Sequence, residues 1–235
     1  MAYKQSTGLI NSLMGAQDTI TALTLSTTVA DTISDSGNGL LAAGFRPGDT
    51  LTTSGWTDAA NNGICTVTSV ASTGASMVIA GLTLTNEVAG DSVTITACAK
   101  TFKDVFRNCT IHVYSGTVPA NADTDEGAGT KLLEISVGSV AITPGTATNG
   151  LDFDAIVAGA LTKSADTWSD VGLANGTAAW YRMYDNGVIT GASSTAKRCD
   201  GLVGTSSVTF ILSSTSIVLG ATTTLDTATF TMPST

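Results

Sequence analysis

Composition and the spacing of turn residues predict an all-β protein. Only 12% of the 235 residues are charged, about half the usual share for a soluble protein. Threonine and β-branched apolar residues fill much of that gap and favour strands, whereas glycine and serine supply turns. We therefore expect a jelly-roll-like β-sandwich as the main domain, with an inserted small β-barrel or sandwich module and a short N-terminal helix.

The first 17 residues contain the N-terminal helix. Ser6 or Thr7 can cap it, and Gly15 can end it. Its apolar face is formed by Leu9, Ile10, Leu13 and Met14. A helix of about three turns is not stable alone in water, so we expect it to dock on the main body.

Residues 18–98 change to strand-like runs separated by turns. The expected strands are Ile20–Leu25, Thr50–Thr53, Cys65–Val70, Ser76–Ile79 and Ser92–Thr96. Residues 33–51 are expected to form a loop, a short helical turn and a Pro-Gly-Asp turn before a strand. Asn61-Asn62-Gly63 indicates a hairpin. Five strands in about 80 residues suggest a small barrel or sandwich.

Residues 99–107 return to helical spacing, with Phe102, Val105 and Phe106 on one face. The order is then helix, β-rich segment, helix. The simplest domain organisation is a discontinuous main domain, residues 1–17 plus 99–235, interrupted by an inserted domain at 18–98.

Residues 108–235 are expected to supply eight strands of the main sandwich. These are Thr110–Tyr114, Leu132–Val137, Leu151–Phe153, Gly176–Tyr184, Asp200–Val203, Thr209–Leu212, Ser216–Val218 and Ala221–Met232. The stretch Asn108–Leu133 is expected to form a strand, a polar acidic loop and the start of the next strand, and we expect the rest of the chain to be arranged around it. Trp180 is expected in the core and Arg182 at a rim. The long last strand is expected at a sheet edge, where it can pair with a neighbouring subunit.

Charge limits the classes of partner. The net charge is -9 and no cluster of lysine and arginine occurs, so we expect no nucleic-acid groove and no polybasic membrane anchor. The N-terminus lacks the apolar region of a signal peptide, and no run of about 18 apolar residues occurs. A chain with so few charges is expected to spend much of its surface against other subunits.

Cysteine and histidine suggest no metal or catalytic centre. We expect Cys65, Cys98, Cys109 and Cys199 to be buried thiols, with disulfides left open, because their spacing is not that of a zinc site. His112, the single histidine, is expected on the strand face opposite Cys109, which is a poor arrangement for a Cys/His dyad.

Three further patterns have a functional and a structural interpretation. Asp152 and Asp154 have the spacing of paired glycosidase carboxylates, with Trp168 and Trp180 as sugar-stacking rings. The acidic loop with Asp123, Asp125 and Glu126 can hold calcium or simply be solvated. The segment Gly37-Asn-Gly-Leu-Leu-Ala fits a relaxed dinucleotide fingerprint without the βαβ context. We favour the structural interpretation throughout and assign no catalytic, cofactor-binding or metal-binding residue.

Several motifs, in order, resemble a group of tailed-bacteriophage virion structural proteins. They are Ser6-Thr-Gly-Leu-Ile-Asn-Ser-Leu, Ile111-His-Val-Tyr-Ser-Gly-Thr-Val-Pro-Ala-Asn-Ala-Asp, Gly129-Thr-Lys-Leu-Leu, Asn175-Gly-Thr-Ala-Ala-Trp-Tyr-Arg, Asp200-Gly-Leu-Val-Gly-Thr-Ser and Leu212-Ser-Ser-Thr-Ser-Ile-Val. In that group the first motif is commonly followed almost at once by the strand of the second. The intervening segment is similar to small β-modules of phage tail and capsid proteins, through Gly44-Phe-Arg-Pro-Gly-Asp-Thr and Ala60-Asn-Asn-Gly.

The resemblance implies a non-enzymatic protein of the virion, assembled in the bacterial cytoplasm. Its expected partners are other copies of itself and other virion proteins of the tail, neck or major capsid. We favour the tail or neck and leave two alternatives open. One is a capsid decoration protein on the head. The other is a receptor- or glycan-binding module that uses an exposed Trp56 or Trp168 as its platform.

Overall fold

The structure is a computed structural model that describes residues 3–231. It consists mostly of strands, which confirms the all-β prediction. Neither of the helices in this range is long and apolar enough to cross a membrane.

From residue 3 to residue 105 the structure contains two helices, a 3₁₀ turn and eight strands. In chain order they are β1 (Lys4–Gln5), α1 (Thr7–Leu13), β2 (Thr19–Ala22), β3 (Leu25–Thr28), β4 (Thr32–Asp35), β5 (Thr50–Ser54), the 3₁₀ turn (Ala59–Asn61), β6 (Gly63–Val70), β7 (Ser76–Ala80), β8 (Val93–Ala97) and α2 (Phe102–Val105).

The second part of the chain is built of strands. They are β9 (Thr110–Tyr114), β10 (Lys131–Val137), β11 (Ala160–Thr162), β12 (Trp168–Val171), β13 (Gly176–Thr177), β14 (Trp180–Tyr184), β15 (Arg198–Gly204), β16 (Phe210–Leu212), β17 (Ser216–Ile217) and β18 (Thr222–Thr231). The expected strand ending at Met232 therefore reaches the limit of the described residues, with Met232 itself outside them.

Contacts divide the chain into two compact units. Of the described residues, unit 1 holds those up to Asn11, Val105–Ile142 and those from Thr148 on, whereas unit 2 holds Ser12–Asp104 and Thr143–Ala147. The proposed domain boundaries stay a prediction, because compactness does not test whether residues 18–98 fold by themselves.

The strands of unit 1 form a closed ring. The path β15-β14-β9-β10-β12-β18 is hydrogen-bonded strand to strand, and β16 pairs with both β15 and β18. A sheet closed in this way is a barrel. This path does not by itself show the two separate sheets of the expected sandwich. β1 and β11 pair along the outside of the path, with β15 and β18 respectively.

Aromatic rings fill the barrel because alternate residues of its strands point inward. Tyr181 of β14 stacks on Phe210 of β16, with ring centroids 3.9 Å apart. Phe210 in turn makes an edge contact with Phe230 of β18. These strands are not all neighbours in the sheet, so the rings meet across its interior.

Unit 2 is a seven-stranded antiparallel sheet in the order β2-β8-β5-β6-β7-β4-β3. Its two edge strands, β2 and β3, are consecutive in the chain and only two residues apart, so the sheet must curl until its edges approach each other. The concave side holds an apolar core that includes Leu25, Ile33, Phe45, Leu51 and Ile95.

Some sequence predictions need correction. β4 lies where a loop was expected, because Ile33 alternates with polar neighbours over four residues only. β3, β11 and β12 were also missed, and all are short. The hairpin at Asn61-Asn62-Gly63 exists, since Thr53 pairs with Gly63. However, it closes through a long loop with a 3₁₀ turn rather than through a two-residue turn.

The N-terminal helix forms, but its expected apolar face is mostly not buried: Leu9 is buried, whereas Ile10, Leu13 and Met14 are exposed. Ser6 caps it, because its Oγ accepts a hydrogen bond from the Leu9 backbone N–H at 3.1 Å. Gly15, with a positive φ of 99°, follows the helix end.

Candidate functional site

The strands on one side of the unit 1 barrel have a polar outer face as well as an apolar inner one. The register places Arg182 of β14 between His112 of β9 and Asp200 of β15. All residues of β9 and β14 are nevertheless buried. Something must therefore cover the polar face, and the loop between β9 and β10 does so.

A buried ion pair lies at the centre of this polar face. Arg182 Nε and Nη2 donate to the two carboxylate oxygens of Asp200, each at 2.7 Å. Both side chains are 0% exposed. Burial raises the pKa of Asp200, but the paired guanidinium acts in the opposite direction, and with two parallel charge-assisted bonds we assign the pair as ionised.

The loop of residues 115–130 is anchored on this pair through Glu126. Arg182 Nη1 donates to the Thr124 carbonyl at 2.8 Å and to Glu126 Oε1 at 3.2 Å. The Tyr184 hydroxyl donates to the same carboxylate oxygen at 2.5 Å. Glu126 therefore fixes the loop to β14. Its charge is balanced by the second arginine of the cluster, since Arg198 Nη1 lies 3.9 Å from Glu126 Oε1.

A second buried arginine fixes the loop that precedes β15. Arg198 Nη1 donates to the Gly191 carbonyl at 2.6 Å, and Nη2 donates to the Ser193 carbonyl at 2.8 Å. Its Nε has no hydrogen-bond partner within residues 3–231. Arg198 therefore acts mainly on backbone carbonyls, whereas Arg182 acts on carboxylates.

The N-terminal segment holds the 115–130 loop from another side. Lys4 Nζ donates to the Pro119 carbonyl at 2.6 Å. The backbone N–H and hydroxyl of Thr7 donate to the two carboxylate oxygens of Asp123, at 2.9 and 2.6 Å. Contacts from β1, α1 and β14 therefore converge on this loop, and β15 adds a longer one from Arg198 Nη2 to the Asp123 carbonyl at 3.4 Å.

His112 occupies the margin of the polar face. Its Nδ1 lies 3.3 Å from the Tyr114 hydroxyl, and its Nε2 lies 3.6 Å from Glu134 Oε2, too far for a good hydrogen bond. Burial lowers the pKa of His112 and outweighs the opposite influence of Glu134. The imidazole is therefore neutral at pH 7.

This arrangement immobilises a loop and offers little for chemistry. Burial raises the pKa of both Cys109 and Cys199 well above that of an ordinary thiol. Burial also raises the pKa of Tyr114 to about 12. Protonated groups of this kind are poor nucleophiles and poor general bases. We therefore interpret the cluster as structural.

The comparisons with known proteins give no family. No protein-family model, curated protein or solved structure matches this chain.

The acidic residues that suggested calcium bind protein donors instead. Asp123 accepts from Thr7, Asp125 accepts from the Gly127 N–H at 3.1 Å, and Glu126 accepts from Arg182 and Tyr184. Within the described part of the chain, no group of three or more His, Cys, Asp or Glu side chains is placed to hold a metal ion.

The glycines that fit a dinucleotide fingerprint surround a carboxylate of their own chain. The backbone N–H groups of Gly37 and Gly39 donate to Asp35 at 2.8 and 2.7 Å, and Thr24 Oγ1 donates at 2.6 Å. Asp35 is buried. It therefore fills the position that a phosphate would need.

The paired aspartates and the tryptophans do not form a sugar site. Asp152 accepts a hydrogen bond from the Asn108 N–H at 3.0 Å, whereas Asp154 is exposed. Trp168 is 1% exposed and Trp56 is 5% exposed. The expectation of an exposed tryptophan platform was wrong, because both rings pack in the cores of their units.

Two other residue predictions change in the structure. Arg182 lies buried rather than at a rim, although Trp180 is in the core as expected. Cys98 is exposed, unlike the other cysteines, and all four are free thiols. The burial of Arg182 could have been predicted from the sequence, because this residue lies between the large aromatic residues Trp180 and Tyr184 on the same strand face.

The surface that does stand out is the convex side of the unit 2 sheet. We define the outer face as the outward residues of β2–β8, namely Thr19, Thr21, Ser26, Thr28, Thr32, Ser34, Thr50, Thr52, Ser54, Ile64, Thr66, Thr68, Ser76, Val78, Ala80, Thr94 and Thr96. All of these strands are described, and no outward side chain on them is charged.

Register arranges the outer face in rows. Thr19, Thr96, Thr52 and Ile64 lie side by side on four adjacent strands. Hydroxyls also bond across strands, as between Thr21 and Thr94 at 2.8 Å. Charged residues usually make up about 25–35% of a designed soluble surface, whereas the outward side chains of these seven strands include none.

Proposed function

We propose that this protein is a non-enzymatic structural component of a tailed-phage virion, placed in the tail or neck and assembled through β-rich contacts. The outer face of unit 2 is the observation that supports the proposal most strongly. A sheet face without charges can be covered by another protein surface without desolvating an ion, which costs several kcal/mol.

The ordered sequence motifs and the loop anchored by Arg182 also support the proposal. A rigid loop on a closed barrel gives each copy the same shape, which repeated assembly requires. The buried pair, the occupied carboxylates and the high pKa values of the thiols give the alternative of an enzyme no supporting group.

The test is incorporation of outer-face variants into phage particles. Thr52→Glu places a charge at the centre of the outer face, and we expect the amount of protein in purified particles to fall about tenfold or more. Ser72→Glu is the matched control, because Ser72 is exposed in the turn between β6 and β7. Wild-type chain missing from purified particles would overturn the proposal.

The number of copies per particle separates the two virion positions. A small, ring-sized number supports the tail or neck. A number that scales with the capsid lattice would instead support decoration of the head. Quantitative mass spectrometry of purified particles gives that number.

A further inference from the structure

Unit 2 contains a lysine that is buried between two carboxylates. Lys100 Nζ donates to Asp49 Oδ2 at 2.6 Å and to the Gly44 carbonyl at 3.1 Å, and it lies 3.0 Å from Asp18 Oδ2. The side chains of Lys100, Asp49 and Asp18 are 6%, 2% and 15% exposed. Lysine and aspartate are seldom buried so deeply unless they are paired. The cluster therefore holds an amine and a carboxyl group in direct contact and largely away from water.

The three side chains come from segments that the sheet of unit 2 places side by side. Asp49 directly precedes β5, and Lys100 follows the end of β8 by three residues. The two strands are antiparallel neighbours, with Leu51 opposite Ala97. Asp18 joins them because its carbonyl accepts a hydrogen bond from the Ala97 N–H at 2.8 Å. Strand pairing therefore fixes the backbone around this cluster.

A backbone donor and a glycine complete the surroundings of the two carboxylates. The Arg46 N–H donates to Asp49 Oδ2 at 2.7 Å. A Cβ at Gly44 would lie 2.5 Å from Asp18 Cγ, so glycine permits the Asp18 carboxylate to lie this close to the chain. Burial raises the pKa of Asp49, and Asp18 acts in the same direction, whereas Lys100 acts in the opposite direction. The net rise favours a protonated Asp49, which is the form of a carboxyl group that an amine attacks.

We propose that Lys100 and Asp49 join in an intramolecular amide bond, and that Asp18 transfers a proton in the reaction. Amide formation needs a nucleophile, an electrophile, a proton acceptor and a donor for the developing oxyanion. Lys100, Asp49 and Asp18 supply the first three, in that order, and the Arg46 N–H supplies the fourth. The proposal goes beyond the virion function, because the bond lies within one chain and needs no other protein of the particle.

The reaction releases water and needs no other reactant. One proton passes from the Lys100 ammonium to the Asp49 carboxylate, and the neutral amine then attacks Asp49 Cγ, which it already lies beside. Asp18 accepts a second proton from the nitrogen and gives it to the leaving hydroxyl. The Cγ–Oδ1 bond breaks and water departs, while Oδ2 stays bound to the Arg46 N–H as the amide oxygen. Asp18 ends as the carboxylate that it was at the start.

A second close pair in the chain shows what distinguishes the buried one. Lys131 Nζ lies 2.7 Å from Glu134 Oε2, but the two side chains are 39% and 34% exposed. Water stabilises the charged forms of both groups there, which disfavours the neutral amine that attack requires. We therefore expect an amide at Lys100 and none at Lys131.

Intact-mass spectrometry of the denatured wild type tests the proposal. We expect the protein to be lighter than its sequence mass by one water molecule. Lys100→Arg keeps a cation beside Asp49, but a guanidinium stays protonated and is not a nucleophile, so this variant should keep its full sequence mass. Asp18→Asn keeps the size of the side chain, and we expect it to lose water about a hundredfold more slowly. Circular dichroism of both variants checks that they fold.

Fragmentation locates the bond. Chymotryptic peptides analysed by tandem mass spectrometry should include one branched peptide that joins Lys100 to Asp49, and none that joins Lys131 to Glu134. A wild type of full sequence mass would overturn the proposal, and this measurement does not depend on whether any variant folds. Water loss that persists in Lys100→Arg would also overturn it, because the water would then come from another site. Equal rates in the wild type and in Asp18→Asn would contradict the proton transfer by Asp18.

Discussion

Individual residues in this protein show how environment changes the role of a charged side chain. Arg182 was expected at a rim because arginine is seldom fully buried. It is buried because Asp200, Glu126 and the Thr124 carbonyl supply acceptors to its guanidinium. These partners come from distant parts of the sequence, so periodicity along one strand could not reveal them.

Removing one member of the buried pair should be strongly destabilising. We expect Arg182→Leu to lower the free energy of unfolding by about 3–5 kcal/mol, because Asp200 is left buried without its partner. Urea unfolding followed by tryptophan fluorescence measures the change. Lys131→Met is the control, since its pair with Glu134 is partly exposed and such pairs contribute up to about 1 kcal/mol. Equal effects of the two substitutions would refute the assignment.

His112 should make stability depend on pH. Burial lowers its pKa in the folded state below the ordinary value of about 6.5. Lys131 acts in the same direction, whereas Glu134 and Glu126 act in the opposite direction. The unfolded chain therefore binds more protons than the folded chain once the pH falls below about 6.5. The stabilising contribution of the neutral imidazole is complete above that pH and is lost as the pH falls through the folded pKa.

The His112→Gln variant isolates this effect. His112 is the single histidine of the chain. The variant should therefore lose the slope of stability against pH just below pH 6.5, as measured by urea unfolding at several pH values. An unchanged slope in the variant would assign it to other groups.

At the scale of elements, close approach of backbones decides several connections. The segment Thr143–Ala147 belongs to unit 2, although it lies in the second half of the chain. The Val70 N–H donates to the Gly145 carbonyl at 2.6 Å. Gly145 has a φ of +85°, and a Cβ there would lie 2.0 Å from the Val70 carbonyl oxygen.

Gly145→Ala should therefore detach this segment from β6. We expect the free energy of unfolding to fall by more than about 2 kcal/mol, because the clash adds to the cost of about 1–2 kcal/mol for an alanine in the left-handed conformation. Hydrogen exchange at the Val70 amide gives the direct measurement. Gly138→Ala is the matched control, with positive φ but no atom within 4 Å of the added Cβ. This control should lower the free energy of unfolding only by the cost of the left-handed conformation. It should leave the Val70 amide protected from hydrogen exchange.

At the scale of the whole molecule, few charges and a net negative balance determine how copies meet. Some charges are buried in pairs, as are Arg182 and Asp200. Others, such as Asp154, Asp166 and Asp226, are exposed on unit 1, and none lies on the outer face of unit 2. Under the proposed function, the surface available for association is the neutral outer face of unit 2. Assembly should therefore depend on apolar burial against a background of weak repulsion.

Salt should strengthen self-association for this reason. Raising sodium chloride from about 0.05 M to about 0.5 M shortens the Debye length severalfold and screens the repulsion between copies of net charge -9. We expect a lower dissociation constant by sedimentation at the higher salt concentration. Weaker association at high salt would mean that ion pairs between copies hold the contact.

The amino-acid sequence alone determined the fold class, the capped first helix, most of the strands and the neutral surface. These follow from local causes. β-branched residues, apolar side chains at every second position, turn residues and low charge can all be recognised within a few residues of sequence. Short strands such as β3, β4, β11 and β12 were missed, because three or four residues give too little alternation to separate them from loops.

Only the tertiary structure decided which residues meet. It closed the sheet of unit 1 through β16, buried Arg182 beside Asp200, and covered Trp56 and Trp168. Each of these outcomes depends on partners far apart in the chain. Burial and pairing depend on the whole arrangement of strands, whereas propensity depends on neighbours along the chain.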